Sequence, residues 1–240
     1  SWSRMPRSFR IIPKQCRCEF CKREFSDEGH LINHVCEKKR RWFQKDQPQG
    51  RIAFMAWSRF YELNNALVGK KNKKTYKEFI DSKFYLAFSK FARHLLDTAA
   101  PEPERFIDYV IKNNLPIDKW THDVVYEEYV KDLLRTESPE QALERAIMLM
   151  REWSQQHEHP WTDFFREVNT NQLTRWIQTG RISPWVLYNA RSADDALARC
   201  TPEQISMIAN TAPVAQWSSR FKTNAEGATF ARDTLRKAGL

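Results

Sequence analysis

The stretch Cys16-Arg-Cys18-Glu-Phe-Cys21-Lys-Arg-Glu-Phe25-Ser-Asp-Glu-Gly-His30-Leu31-Ile-Asn-His34-Val-Cys36 decides how the front of this chain folds. Cys18 and Cys21 are separated by two residues. Three residues then lead to Phe25, five more to Leu31 and two more to His34, which is the spacing of a ββα finger. The pattern has a chemical reason. Two cysteines on a tight knuckle supply thiolates, one helical turn supplies an imidazole, and Phe25 and Leu31 fill a core too small to fold without metal. The expectation is a small ββα-like zinc finger with Zn2+ as its cofactor.

The fourth ligand departs from the finger pattern. A second histidine is expected three to five residues after His34, where Glu37, Lys38, Lys39 and Arg40 stand instead. Cys36 is the nearest candidate. Side chains two apart on a helix point about 200° apart, so Cys36 can join His34 only if the helix ends there. The alternative pairs His30 with His34, an i, i+4 match on one helical face, and leaves Cys36 out; Cys16 is a further substitute. The expected ligand set is therefore Cys18, Cys21, His34 and Cys36, with His30 as the alternate. Four of the five cysteines fall in this one segment, and the start of the chain shows no apolar leader, so metal ligation is expected over disulfide pairing.

Charge is unevenly distributed. The chain of 240 residues carries a net charge of +9, yet residues 1–83 alone hold 20 Lys and Arg against 9 Asp and Glu. An excess confined to the front third points to a polyanionic partner, and nucleic acid fits better than membrane because no amphipathic lipid anchor accompanies it. The candidate contacts flank the finger and recur beyond it: Arg17, Lys22 and Arg23 at the knuckle, Lys38, Lys39, Arg40 and Arg41 after it, and Lys70, Lys71, Lys73 and Lys74 in a later tract. Lysine and arginine neutralise phosphates without reading sequence, while Trp42 and Phe43 offer rings for an unpaired base.

The rest reads as an all-α, multi-helix body in two parts. Only six glycines are present, and helix-forming residues dominate. Residues 1–15 are expected to be an extended basic arm, and Asp46-Gln47-Pro48-Gln49-Gly50 a turn that ends the finger segment. Apolar periodicity predicts a helix from Ile52 to about Gly69 and a second from Tyr76 to Leu96 with the aromatic stripe Phe79, Phe84, Tyr85, Phe88 and Phe91. Further helices, several opened by proline, are expected at Glu104 to Asn113, Thr121 to Arg135, Ser138 to about Gln155, Pro160 to Val168, Asn171 to Thr179, Pro184 to Ala190, Ser192 to Cys200, Pro202 to Asn210 and Gly227 to Ala238, with Trp153, Trp161, Trp176, Trp185 and Trp217 in the core. Ser138-Pro139-Glu140-Gln141 and Thr201-Pro202-Glu203-Gln204 are capping sequences. The implied organisation is a finger module over 1–46, a basic helical part over 51–100 and a helical C-terminal domain over 104–240. No apolar run is long enough to span a membrane, and the expectation is a cytoplasmic protein, in the host cytoplasm if viral.

Enzymatic signatures are missing. Asp108, Asp118, Asp123, Glu127 and Glu128 show no spacing that joins them to a catalytic lysine, the His157-Glu158-His159 triplet precedes a proline in a polar loop, and Cys200 has no His/Asp partner in the sequence. A non-enzymatic protein is expected.

Several stretches resemble the helicase-loading proteins of T-even-type bacteriophages over about residues 82–190: Phe84 to Phe91, Phe106 to Asn114, Trp120 to Asp123, Tyr126 to Tyr129, Asp163 to Phe165 and Gly180 to Leu187. The resemblance implies an all-helical, two-part replication accessory that binds forked or single-stranded DNA, contacts the single-strand-binding protein and helps place the replicative helicase. The zinc finger departs from that family, so the role carries over and individual DNA contacts do not. The competing expectation is a phage transcription or host-takeover regulator whose finger binds duplex DNA or RNA polymerase.

Overall fold

The computed structural model describes residues 16–65 and 73–240. The expected basic arm over 1–15 and the cations Lys70 and Lys71 lie outside the described residues.

The molecule is a helical body with a two-stranded sheet at its front, as the composition predicts. Strands β1 (Cys16–Arg17) and β2 (Glu24–Phe25) pair antiparallel with Cys16 opposite Phe25, and α1 (Glu28–Asn33) follows. Asp27 caps α1 by accepting the His30 amide at 2.9 Å. Helix α2 (Glu37–Phe43) comes next, and a short turn joins it to α3 (Pro48–Asn65).

Two sequence expectations need correction here. Pro48 and Gly50 do not form a break; they open α3. Proline is pre-shaped for the first helical position, and Gly50 is buried because the helix start packs on the preceding turn. A Cβ at Gly50 would meet the Gln44 carbonyl oxygen at 2.0 Å, so the glycine reflects close backbone approach. The expected single helix from Tyr76 to Leu96 is two, α4 (Tyr76–Asp81) and α5 (Tyr85–Asp97). Ser82 causes the break, its hydroxyl accepting the Phe84 amide at 3.1 Å in place of a helical carbonyl.

Beyond these lie α6 (Pro103–Lys112), α7 (Asp123–Thr136) and the long α8 (Pro139–His157), then the short α9 (Phe164–Glu167), α10 (Thr170–Gln178), α11 (Pro184–Leu187), α12 (Ala193–Arg199), α13 (Pro202–Thr211), α14 (Val214–Thr223) and α15 (Ala225–Ala238). The predicted helix over Pro160 to Val168 is a 3-10 turn, Trp161–Asp163, followed by α9. Helix α14 had no counterpart in the sequence reading; its i, i+4 pair Trp217 and Phe221, whose rings lie 5.7 Å apart, is the signal that marks it. Both capping sequences form as expected, with Gln141 and Gln204 closing reciprocal bonds to Ser138 and Thr201.

Packing is continuous from Ala53 to Leu240. Helix α5 runs against α3, α10 against α13, and α8 against α11 and α15. Trp120 is fully buried among Phe60, Phe88 and Phe91, and its indole donates to the Leu115 carbonyl at 2.8 Å. Of the five tryptophans expected in the core, Trp153, Trp185 and Trp217 are buried, while Trp161 and Trp176 are half-buried against it. His157 and His159 stack on Trp153, and the Cys200 thiol donates to the Ala196 carbonyl. Asp108 is held by a two-pronged bond from Arg59, at 2.7 and 3.1 Å, which ties α3 to α6.

One ion pair is deep. Glu137, at the end of α7, has a fully buried side chain and meets Arg145 of α8 at 2.6 Å, while Arg145 Nε donates to the Gly180 carbonyl at 3.0 Å. Burial pushes the Glu137 carboxyl above its ordinary value, and Arg145 pulls the other way. The folded state thus holds this proton more tightly than the unfolded chain, and ionised Glu137 depends on its partner. Arg145→Met leaves that carboxylate buried alone and is expected to lower stability by about 3–5 kcal/mol near neutral pH. The gap between variant and parent should narrow as pH falls from neutrality, and should do so above the ordinary carboxylate value of 4.5, because the buried carboxyl of folded Glu137 takes up its proton before a free one does. Urea unfolding of both proteins across that range checks magnitude and sign.

Candidate metal centre

The finger has almost no apolar core of its own. Neither α1 nor α2 contributes a buried residue, and Cys18, 4% exposed, is the buried member of the segment. Phe25 and Leu31 are half-buried, with the Phe25 ring 4.6 Å from the His34 imidazole. A unit this thin needs another source of folding energy.

The knuckle is built by the backbone. Cys18 donates its amide to the Arg23 carbonyl at 2.9 Å, and the Lys22 amide donates to the Cys18 carbonyl at 2.9 Å. Lys22 has φ +64°, the left-handed turn that swings Cys21 back beside Cys18. Two of the predicted DNA contacts brace this turn: Arg17 Nε donates to the Lys22 carbonyl at 2.9 Å, and Lys22 Nζ to the Glu19 carbonyl at 2.6 Å.

Helix α1 stops at Asn33. His34 is its C-cap, with φ −72° and ψ 123°, and Cys36 is extended at φ −85° and ψ 166° as the N-cap of α2. The helix therefore ends where the sequence argument requires. Nonhelical backbone between them lets both side chains turn to the same point. The donor atoms of Cys18, Cys21, His34 and Cys36 all lie within 4.8 Å of one another, and Cys21 Sγ is 3.2 Å from His34 Nε2. A tetrahedral ion with ligand bonds of 2.0–2.3 Å has edges of about 3.3–3.8 Å, so three thiols and one imidazole at this spacing can hold a metal ion with slight closure.

Electrostatics favour loss of a proton at Cys18 and oppose it at Cys36. Burial of Cys18 opposes its thiolate, but amides of Cys21 and Phe20 and the neighbouring thiols of Cys21 and Cys36 outweigh it and hold the thiol below its ordinary value. Cys36 is pushed up, first by burial and then by the thiols of Cys21 and Cys18, against a weaker pull from the Lys39 amide. Crowded thiols that resist ionising together are what a divalent cation relieves.

The alternate ligand is placed elsewhere. His30 is 70% exposed and rests on the Asp27 carboxylate that caps its own helix. The capping aspartate three residues upstream is the signal in the sequence for this second use. Cys16 sits on β1 opposite Phe25 and is not among the four clustered donors.

The predicted DNA contacts differ in how far each is engaged by the fold. Lys38 pairs with Asp81 at 2.7 Å, and Arg41 donates to the Ile80 carbonyl at 3.0 Å while its guanidinium lies over the Tyr85 ring. These two hold α2 to α4 and α5. Trp42 is in the same joint, half-buried between Phe20 and Tyr76. Lys39 donates to the His34 carbonyl at 3.1 Å, and Lys74 lies 4.9 Å from the Tyr61 ring. Arg17, Lys22, Arg23, Arg40 and Lys73 are exposed. Among the described residues, no helix is long and apolar enough to cross a membrane.

Comparison of the chain with protein-family models, with curated proteins and with solved structures returns no match.

Cys36→Ala is expected to remove a ligand and His30→Ala to leave the site intact. Cobalt(II) titration checks this, because tetrahedral thiolate absorption should weaken sharply in the first variant and match the parent in the second. Unchanged cobalt spectra in Cys36→Ala would assign the fourth position elsewhere.

Proposed function

We propose that this protein is a non-enzymatic DNA-binding accessory of replication, in which a zinc-held finger grips the phosphate backbone of forked or single-stranded DNA. The observation that carries the reading is the pairing of a Cys3His donor set with exposed cations on the same small unit: Arg17, Lys22 and Arg23 at the knuckle and Arg40 on α2. Zinc is the favoured ion because three thiolates and an imidazole in a closed, four-donor arrangement are its preferred structural shell. It would supply folding energy that the finger lacks, of the order of 10–16 kcal/mol for structural zinc near neutral pH.

Cations that touch phosphates release counterions and give affinity without sequence choice. That fits a protein whose task is to recognise a DNA form. The helical body supplies docking surface, and the resemblance over residues 82–190 to helicase-loading proteins supports a replicative helicase and the single-strand-binding protein as its partners. No catalytic step is assigned to any residue.

The test is binding of the zinc-loaded full chain to forked, single-stranded and plain duplex DNA over a range of salt. Tighter binding to fork and single strand is expected. Replacing Arg17, Lys22, Arg23 and Arg40 by glutamine should weaken binding and shallow the log–log salt slope by roughly 0.7 per lost contact on a single strand. Equal affinity for fork and plain duplex, with a preferred duplex sequence, would favour a transcription regulator instead.

A further inference from the structure

Helix α2 has two unlike faces. Residues three and four apart share a side, so Lys38, Arg41 and Trp42 fall together and are those bound into the joint with α4 and α5. Lys39, Arg40 and Phe43 fall together on the other side. Phe43 is 61% exposed, the most exposed aromatic residue among the described residues. Its own helix ends there, and the ring stays exposed at that terminus beside the turn that leads to α3.

The charges around the ring point to its occupant. Lys39 Nζ is 5.9 Å from the Phe43 ring centroid and is tethered to the His34 carbonyl, while Arg40 is exposed and joins no ion pair among the described residues. The other exposed aromatic, Phe230 at 41%, has the opposite company: Glu226 and Asp233 sit one turn away on α15. An exposed ring with one cation near its face and a second one helical turn away suits a ligand that alternates flat faces with anionic groups. Nucleic acid is built that way, and a base offers its face only when it is not enclosed in a duplex stack.

We infer that Phe43 is a stacking platform for one unpaired base of single-stranded DNA, with Arg40 and Lys39 placed for the phosphates beside it. The inference rests on the DNA-binding reading and adds the side chain that meets the base. Phe43 acts by contact with ligand, so its exposure lets it be changed without disturbing the fold. Trp42, its neighbour and the stronger stacker, is committed to the joint and takes no part.

The experiment uses the full zinc-loaded chain, a labelled oligothymidylate and an abasic phosphodiester strand of the same length. Phe43→Ala should bind the thymidylate roughly tenfold more weakly, the loss expected for one stacked base, and bind the abasic strand as the parent does. Phe43→Trp should match or exceed the parent on the thymidylate. Zinc content and the thermal midpoint of each variant should equal the parent's. Equal behaviour of Phe43→Ala and parent on both strands, or an equal loss on both, would overturn the platform while leaving the phosphate grip in place. Failure of the parent to bind any strand at low salt would remove both proposals. Sedimentation velocity covers the remaining occupant: self-association that Phe43→Ala abolishes would give the ring to a second copy of the chain and overturn the stacking assignment.

Discussion

A thiol and an imidazole two residues apart can face one metal ion only if the backbone between them leaves the helix, because two helical steps turn side chains about 200° apart. The departure at His34 is therefore the constraint on which the front of this molecule depends. With α1 ended at Asn33, His34 and Cys36 both adopt extended backbone and their donor atoms converge on Cys18 and Cys21. A finger with a second histidine three to five residues later would keep its helix running. Here the chain stops, turns through Val35 and begins again.

That second start links the metal centre to everything behind it. Cys36 is both a donor in the cluster and the N-cap of α2, and α2 is fastened to the body by Lys38 in its first turn and by Arg41 and Trp42 at its far end. The Tyr76 hydroxyl donates to the Arg41 carbonyl at 2.8 Å, adding a bond from α4 to the end of the same helix. A bound ion would thus fix one end of α2 while packing fixes the other. The face that remains in solvent is held at a set angle, and a ligand meeting it would lose little further freedom in ordering the protein.

Much of this was legible in the sequence. Cys18, Cys21 and His34 follow from spacing alone, and the two options for the fourth donor reduce to one structural question, whether the helix ends at His34. The all-α body follows from apolar periodicity, since Phe79, Tyr85, Phe88 and Phe91 of the stripe are buried and Phe84, at the start of α5, is half-buried. The misses have physical causes. Gly50 looks like a turn residue but lies in the first turn of α3, where the Gln44 carbonyl of the preceding turn approaches too closely for a Cβ, a geometry that residue type alone does not reveal. Ser82 interrupts an apolar run with one hydroxyl bond, and α14 has too short an apolar stripe to stand out. The largest gap concerns the cations. A run such as Lys38-Lys39-Arg40-Arg41 reads as one patch, yet a helix distributes it around its circumference.

This distribution is why charge count is a poor guide to a binding surface. Arg41 is only 16% exposed at its side chain, stacked over Tyr85 and bonded to Ile80, so its guanidinium already has the partners a phosphate would offer. Arginine suits that place because its planar fork can donate to a carbonyl and lie on a ring at once, which an ammonium cannot do. Lys39 is half committed, reaching back to the His34 carbonyl next to the cluster. Arg40, one step further round, keeps its full charge in solvent. Four adjacent cations thus carry three different tasks, and the sign of the segment survives at the surface only where the helix turns a residue outward.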